Sequence, residues 1–142
     1  MSLPMTTLEA FAAIPLAAVC CDQTFGKDEA RVIREQLMGR TAYREMEPYA
    51  FGLLISGLLK RFREESWQGL IASAAPLLSP EQQQMGYALA CQLIHCDRIV
   101  APEEQQFLAV LAQQLQFTTA RAEQILEVCD LLNRDFVTDQ PV

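Results

Sequence analysis

The apolar residues of this chain recur every three or four positions over long stretches, and no stretch sustains an apolar–polar alternation. The first spacing is typical of one face of an α-helix, whereas alternation would indicate strands. Residues that are typical of helix ends support this assignment, because Ser79 precedes Pro80 at one predicted start and Gly39 follows one predicted end. The sequence therefore predicts an all-α domain of about seven helices. They are expected at residues 6–21, 28–38, 48–63, 66–75, 80–96, from 102 onward, and 119–133.

Two of these helices carry unusual residues. Pro15 stands inside the first, where it removes a backbone donor, so we expect a kink or break at Ile14. The helix over 48–63 has apolar residues on more than one face, which favours a central position with Tyr49 and Phe62 in the core. A seam between two copies is the alternative, so the chain is expected to be a monomer or a homodimer.

Length and composition indicate one domain over residues 1–142, with frayed tails at 1–5 and 135–142. Hydrophobic residues make up 51% of the chain, enough for a core without disulfides. The net charge of −7 argues against a nucleic-acid partner, because acidic surfaces repel phosphate backbones. The longest apolar run, 50–59, is too short to insert directly into a membrane.

The cysteines indicate a compartment. There are five of them, without a Cys-x-x-Cys pair and without a recognisable signal peptide. Reduced thiols are the default for such a chain, so a cytoplasmic location is expected.

Two acidic segments, one in each half of the chain, repeat the same pattern at a fixed offset. In each, a predicted helix ends in Cys-Asp, a turn with one apolar residue follows, and the next helix begins with two acids. Two such helix hairpins could pack about a pseudo-two-fold axis, which would bring the turns together. The aligned pairs are Cys21 with Cys96, Asp22 with Asp97, Phe25 with Val100, Asp28 with Glu103, and Glu29 with Glu104.

This arrangement resembles the TerB-like family, named for a bacterial tellurite-resistance protein and also found at the N-terminus of a DnaJ-like co-chaperone. Members carry an Asp at the end of one helix and a Glu seven residues later, matched here by Asp22 with Glu29 and by Asp97 with Glu104. The resemblance covers most of the chain, although the glycine that usually follows the aspartate is absent. It implies an all-helical fold with a duplicated centre and a role in stress response.

The acids of the two turns are the candidate metal ligands. Carboxylates suit hard divalent cations such as Ca²⁺, Mg²⁺ or Mn²⁺, although their spacing excludes an EF-hand. In the alternative interpretation they only cap helices, because carboxylates in a first turn accept bonds from free N–H groups and complement the helix dipole. The six residues are Asp22, Asp28, Glu29, Asp97, Glu103 and Glu104.

A second candidate cluster combines three thiols with the only histidine of the chain: Cys20, Cys21, His95 and Cys96. Such side chains bind thiophilic ions if the two turns meet. Ordinary packing of small thiols near helix ends is the alternative. No nucleophile-elbow motif and no Gly-rich phosphate loop occurs, so an enzyme is not expected.

Some residues suit contact with a protein partner. The segment 40–46 mixes Arg, Tyr and Met, types that are enriched at interfaces. Trp67 is either an exposed anchor or, as we expect, packed inside the domain. In the last helix, Leu126, Cys129 and Leu132 are expected on one face. The sequence thus predicts a non-enzymatic binding module for a divalent metal, or alternatively a protein–protein adaptor without metal.

Overall fold

The chain is helical throughout the part that the structure describes. A computed structural model describes residues 5–20, 27–95, 101–134 and 136, which form seven α-helices and no strand. The prediction of an all-α fold with about seven helices is therefore confirmed. A turn of 3-10 helix, Ala75–Leu77, follows the longest helix. The α-helices are α1 (Thr7–Cys20), α2 (Lys27–Leu37), α3 (Thr41–Arg44), α4 (Pro48–Ala74), α5 (Pro80–His95), α6 (Pro102–Leu115) and α7 (Thr119–Asn133).

The centre of the fold is α1. Ten of its fourteen residues are buried, and it packs against both α4 and α5. A helix that is apolar on all sides is a buried helix, and the many alanines of α1 let its neighbours approach closely. The expectation that the stretch 48–63 is central is wrong, because only Phe51, Leu54 and Leu58 of that stretch are buried. Tyr49 is 77% exposed, contrary to its expected place in the core, whereas Phe62 does pack partly against the core.

Pro15 does not break α1. The helix runs without interruption from Thr7 to Cys20, and Pro15 itself is buried. A proline inside a helix costs about 3 kcal/mol in an isolated segment. In this fold α4 and α5 hold the helix along its length, so tertiary packing outweighs the lost hydrogen bond.

The helix α4 consists of two segments that meet at Ser66. The backbone of Ser66 is non-helical, with φ 67° and ψ 170°. Its hydroxyl accepts a 3.4 Å hydrogen bond from the Gly69 N–H, so Ser66 caps the second segment. Before the kink, Arg61 Nε lies 3.1 Å from Glu65 Oε2. The predicted start of a new helix at Ser66 therefore corresponds to a change of direction within α4.

A close approach joins α1 to α5. A Cβ atom placed on Gly86 would lie only 2.5 Å from Cδ1 of Ile14, a side chain that is completely buried. The Ile14 side chain of α1 therefore packs directly against the backbone of α5 at Gly86.

Candidate functional site

The structure does not describe the side chains of three of the six candidate metal ligands. Asp22 and Asp97 lie outside the described residues. Asp28 lies in the first turn of α2, but its side chain is also outside the described part. Whether these carboxylates approach one another therefore stays a prediction.

The other three acids lie at helix starts. Glu104 accepts a hydrogen bond of 3.0 Å from the Ala101 N–H, so its carboxylate caps α6. Glu103 is exposed and lines a shallow cleft of about 220 Å³ beside Trp67. Glu29 is partly buried in α2. Among the described residues, no group of three or more His, Cys, Asp or Glu side chains is arranged to hold a metal ion.

The acidic segments of the sequence repeat come between α1 and α2 and between α5 and α6 in the chain. The two helices that precede the acidic segments end at Cys20 and His95, and the two that follow begin at Lys27 and Pro102. Because α1 also packs against α5, the helices that precede the two acidic segments are neighbours in the fold.

Only two members of the predicted cluster of thiols and histidine, Cys20 and His95, lie among the residues that the structure describes. Cys20 is buried at the end of α1. His95 Nδ1 lies 2.8 Å from the carbonyl oxygen of Cys91, one turn earlier in its own helix. Cys21 and Cys96 lie outside the described residues, so this cluster also stays a prediction.

A different pair of cysteines lies in the core, and nothing in its spacing along the chain distinguishes it. Cys91 of α5 and Cys129 of α7 are both buried, and the Cys129 thiol donates a 3.9 Å hydrogen bond to the Ala88 carbonyl oxygen of α5. Burial raises the pKa of both thiols, which keeps them protonated. Protonated thiols are poor nucleophiles and poor metal ligands, so this pair is suited to packing rather than to chemistry.

The segment 40–46 braces the core through Arg40 and Tyr43, whereas its residues 41, 42, 44 and 45 are exposed. Tyr43 is buried, and its hydroxyl donates a 2.6 Å hydrogen bond to the Leu8 carbonyl oxygen. Its ring contacts Phe11 and Phe51 with centroids 6.3 and 6.5 Å away. The Arg40 guanidinium lies 5.3 Å from the centroid of Phe11. Aromatic and Arg residues are common at interfaces, but here they join this segment to α1.

Trp67 packs inside the domain, as expected. Its ring lies 4.5 Å from that of Phe107, centroid to centroid, and it contacts the core while remaining partly exposed. It is therefore a structural contact between α4 and α6.

The largest exposed apolar surface of a single described helix lies on α7. Val128, Leu131 and Leu132 are 54%, 62% and 70% exposed, and Phe136 beyond the helix is more exposed still. Leu126, Cys129 and Leu132, which were expected on one face, share one side of α7, but only Cys129 is fully buried. Three positions turn a helix by about 300°, so Leu132 is about 60° away from Cys129 and leaves the buried face. The sequence did indicate an exposed apolar surface here, because α7 has more large apolar residues than its one buried face can hold.

A second, smaller exposed surface lies on the first segment of α4. Tyr49 and Leu53 are 77% and 57% exposed and stand four residues apart on one side of the helix. The space around neighbouring Gly52 is open, with no atom within 4 Å of an added Cβ. This surface offers less apolar side chain than that of α7.

Comparison with protein-family models, with curated proteins and with solved structures finds no match for the chain. The resemblance to the TerB-like family thus stays a prediction from the sequence motif. No helix within the described ranges is long and apolar enough to cross a bilayer.

Proposed function

We propose that this chain is a non-enzymatic, cytoplasmic module that binds another protein through exposed apolar side chains. The observation that carries the proposal is the exposure of Val128, Leu131 and Leu132 on one helix. Single exposed apolar residues are common in monomeric proteins, but a contiguous group favours an interaction site.

The chemistry of the described residues also favours binding over catalysis. Burial raises the pKa of the Cys91 and Cys129 thiols, which keeps them protonated. The Tyr43 hydroxyl donates a hydrogen bond to a backbone carbonyl oxygen. Glu104, one of the candidate ligands, is engaged as a cap. These roles support the adaptor interpretation, in which the acids stabilise helix starts.

Affinity capture tests this proposal. The wild-type chain, a Leu131→Gln/Leu132→Gln variant and a Leu53→Gln variant would be used as bait in an extract of the producing cell. Gln113→Ala, an exposed polar change on α6, is the matched control. We expect the wild type and the control to retain the same protein in near-stoichiometric amount, and at least one surface variant to lose it. A wild-type bait that retains no protein would contradict the proposal.

Binding of a divalent cation by the acidic segments is a second candidate. The packing of α1 against α5 favours it, because the two acidic segments follow these neighbouring helices in the chain. Two or three carboxylates from each segment would together supply the oxygen ligands that such a cation needs.

Thermal unfolding separates the two candidates. The midpoint is measured with EDTA and then with Ca²⁺, Mg²⁺, Mn²⁺ or Zn²⁺, for the wild type and an Asp22→Ala/Asp97→Ala variant. A cation that binds only the folded state raises the midpoint. A rise in the wild type that the variant lacks would support the metal site. An equal response of both chains to every ion would leave the acids as helix caps.

A further inference from the structure

An inference that rests on the proposed function concerns the kind of partner that α7 binds. We define the α7 strip as Val128, Leu131 and Leu132. At about 100° per residue, these three side chains fall within an arc of about 100° on the helix surface. Such an arc has the width of the apolar face that one helix presents to another. The strip therefore fits a partner helix laid against α7.

An acidic edge borders this strip. Glu127 stands four residues before Leu131, which puts it about 40° to one side of the strip, and Glu123 lies about 40° further round. Both carboxylates are exposed, and neither has a hydrogen bond or ion pair with any described residue. Two neighbouring carboxylates that no cation in the described ranges neutralises attract positively charged groups of a partner.

The cations of α7 do not neutralise this edge. Arg134 forms an ion pair with Asp130. Arg121 donates to Gln84 and Gln124, which holds its guanidinium beside α5. Arg121 lies on the same side of α7 as the strip, but seven residues before Val128. It therefore marks the N-terminal limit of the proposed binding surface.

A second copy of this chain is a poorer occupant. It would bring an identical pair of carboxylates to the interface, and each copy has a net charge of −7. Like charges placed together at an interface oppose association. A partner with the opposite charge gains from the same arrangement.

We propose that the α7 strip and its acidic edge bind an amphipathic helix of a partner protein, with leucine-type side chains on one face and Lys or Arg beside them. The apolar face covers Val128, Leu131 and Leu132, while the basic flank lies along Glu123 and Glu127. Apolar anchors spaced three and four residues apart are the usual means by which such a helix docks.

Fluorescence anisotropy with labelled peptides tests the proposal. The probe is an 18-residue helical peptide with leucines at positions i, i+3, i+4 and i+7 and lysines beside them. A scrambled peptide of the same composition and a peptide with glutamates in place of the lysines are the controls. We expect the wild-type chain to bind the probe and neither control peptide.

Matched variants locate the site. Leu131→Gln/Leu132→Gln is expected to weaken probe binding at least about tenfold, which corresponds to about 1.4 kcal/mol. Tyr49→Gln/Leu53→Gln alters residues of similar exposure on α4 and is expected to leave binding within about twofold. Glu123→Gln/Glu127→Gln should weaken binding and flatten its dependence on salt. Circular dichroism checks that each variant is folded.

Several outcomes would overturn the proposal. Unchanged binding by the Leu131/Leu132 variant, or equal binding of the glutamate peptide, would exclude the α7 strip or its acidic edge. A wild-type dimer that this variant dissociates would assign the strip to a second copy. Binding only after deletion of residues 135–142 would assign it to the tail of the chain itself. Loss of probe binding in the α4 variant alone would refute docking on the α7 strip. The proposed protein-binding function, which affinity capture tests separately, would still stand.

Discussion

Replacing Gly86 by alanine tests how closely α1 and α5 approach. A Cβ at this position would lie 2.5 Å from Cδ1 of Ile14, and 3.4 and 3.5 Å from its Cβ and Cγ1. Carbon atoms normally approach to about 3.5–4.0 Å. Because Ile14 is completely buried in the central helix, its side chain has little room to withdraw.

Two opposing effects set the size of the change. Alanine in place of glycine within a helix gains about 0.5–1 kcal/mol, because the unfolded chain loses conformational freedom. An extra carbon in a tightly packed core costs about 1–3 kcal/mol. The second effect is larger at Gly86, so we expect Gly86→Ala to lower the free energy of unfolding by about 1–2 kcal/mol. For a chain of this length, that corresponds to a midpoint about 3–6 °C lower.

Gly57 provides the matched control, because no atom lies within 4 Å of a Cβ added there. Gly57→Ala gains the same helix propensity without a clash and should raise the free energy of unfolding by about 0.5–1 kcal/mol. Urea unfolding followed by circular dichroism measures both variants. The opposite signs expected for two changes of identical chemistry isolate the contribution of the helix contact.

A double-mutant cycle with Ile14→Val identifies the responsible atom. The valine lacks Cδ1, the atom nearest to the added Cβ. Alone, this change should cost about 0.5–1.5 kcal/mol. In the Gly86→Ala background it should cost less, since it relieves the overlap. If Gly86→Ala is as stable as the wild type, or if the two changes are simply additive, the close approach of α1 and α5 at these residues is refuted.

The remaining predictions concern buried polar groups and a helix cap. Tyr43→Phe removes the hydroxyl that donates to Leu8 and should lower the free energy of unfolding by about 0.5–1.5 kcal/mol in urea. Thr118→Ala removes the side chain that accepts from the Arg121 N–H at the start of α7, and about 1 kcal/mol should be lost in the same assay. Burial raises the pKa of Cys91, so the native state keeps a proton that the unfolded chain releases above about pH 9. The free energy of unfolding should therefore fall as the pH rises past 9, and a Cys91→Ala chain should show a smaller fall; equal slopes would contradict this assignment.

Local rules of sequence determined the helices of this protein and most of their ends. Helix starts such as Pro102 and Thr118–Thr119 are set by residues that suit the first turn, so they needed no tertiary information. The new segment at Ser66 was likewise predicted, because serine caps a helix whatever surrounds it. The sequence also indicated that Glu104 lies where a carboxylate caps a helix, although capping and metal binding remained alternatives.

Only the tertiary structure decided which faces are buried. The pattern of α4 is apolar on several sides, but the helix that its neighbours surround is α1, which is rich in alanine. Periodicity says which residues share a face, but not which faces other helices cover. That is why Tyr49 and Leu132 are exposed, whereas Tyr43 is buried against α1. Burial depends on contacts between residues far apart in the chain, and those contacts are fixed only when the helices pack.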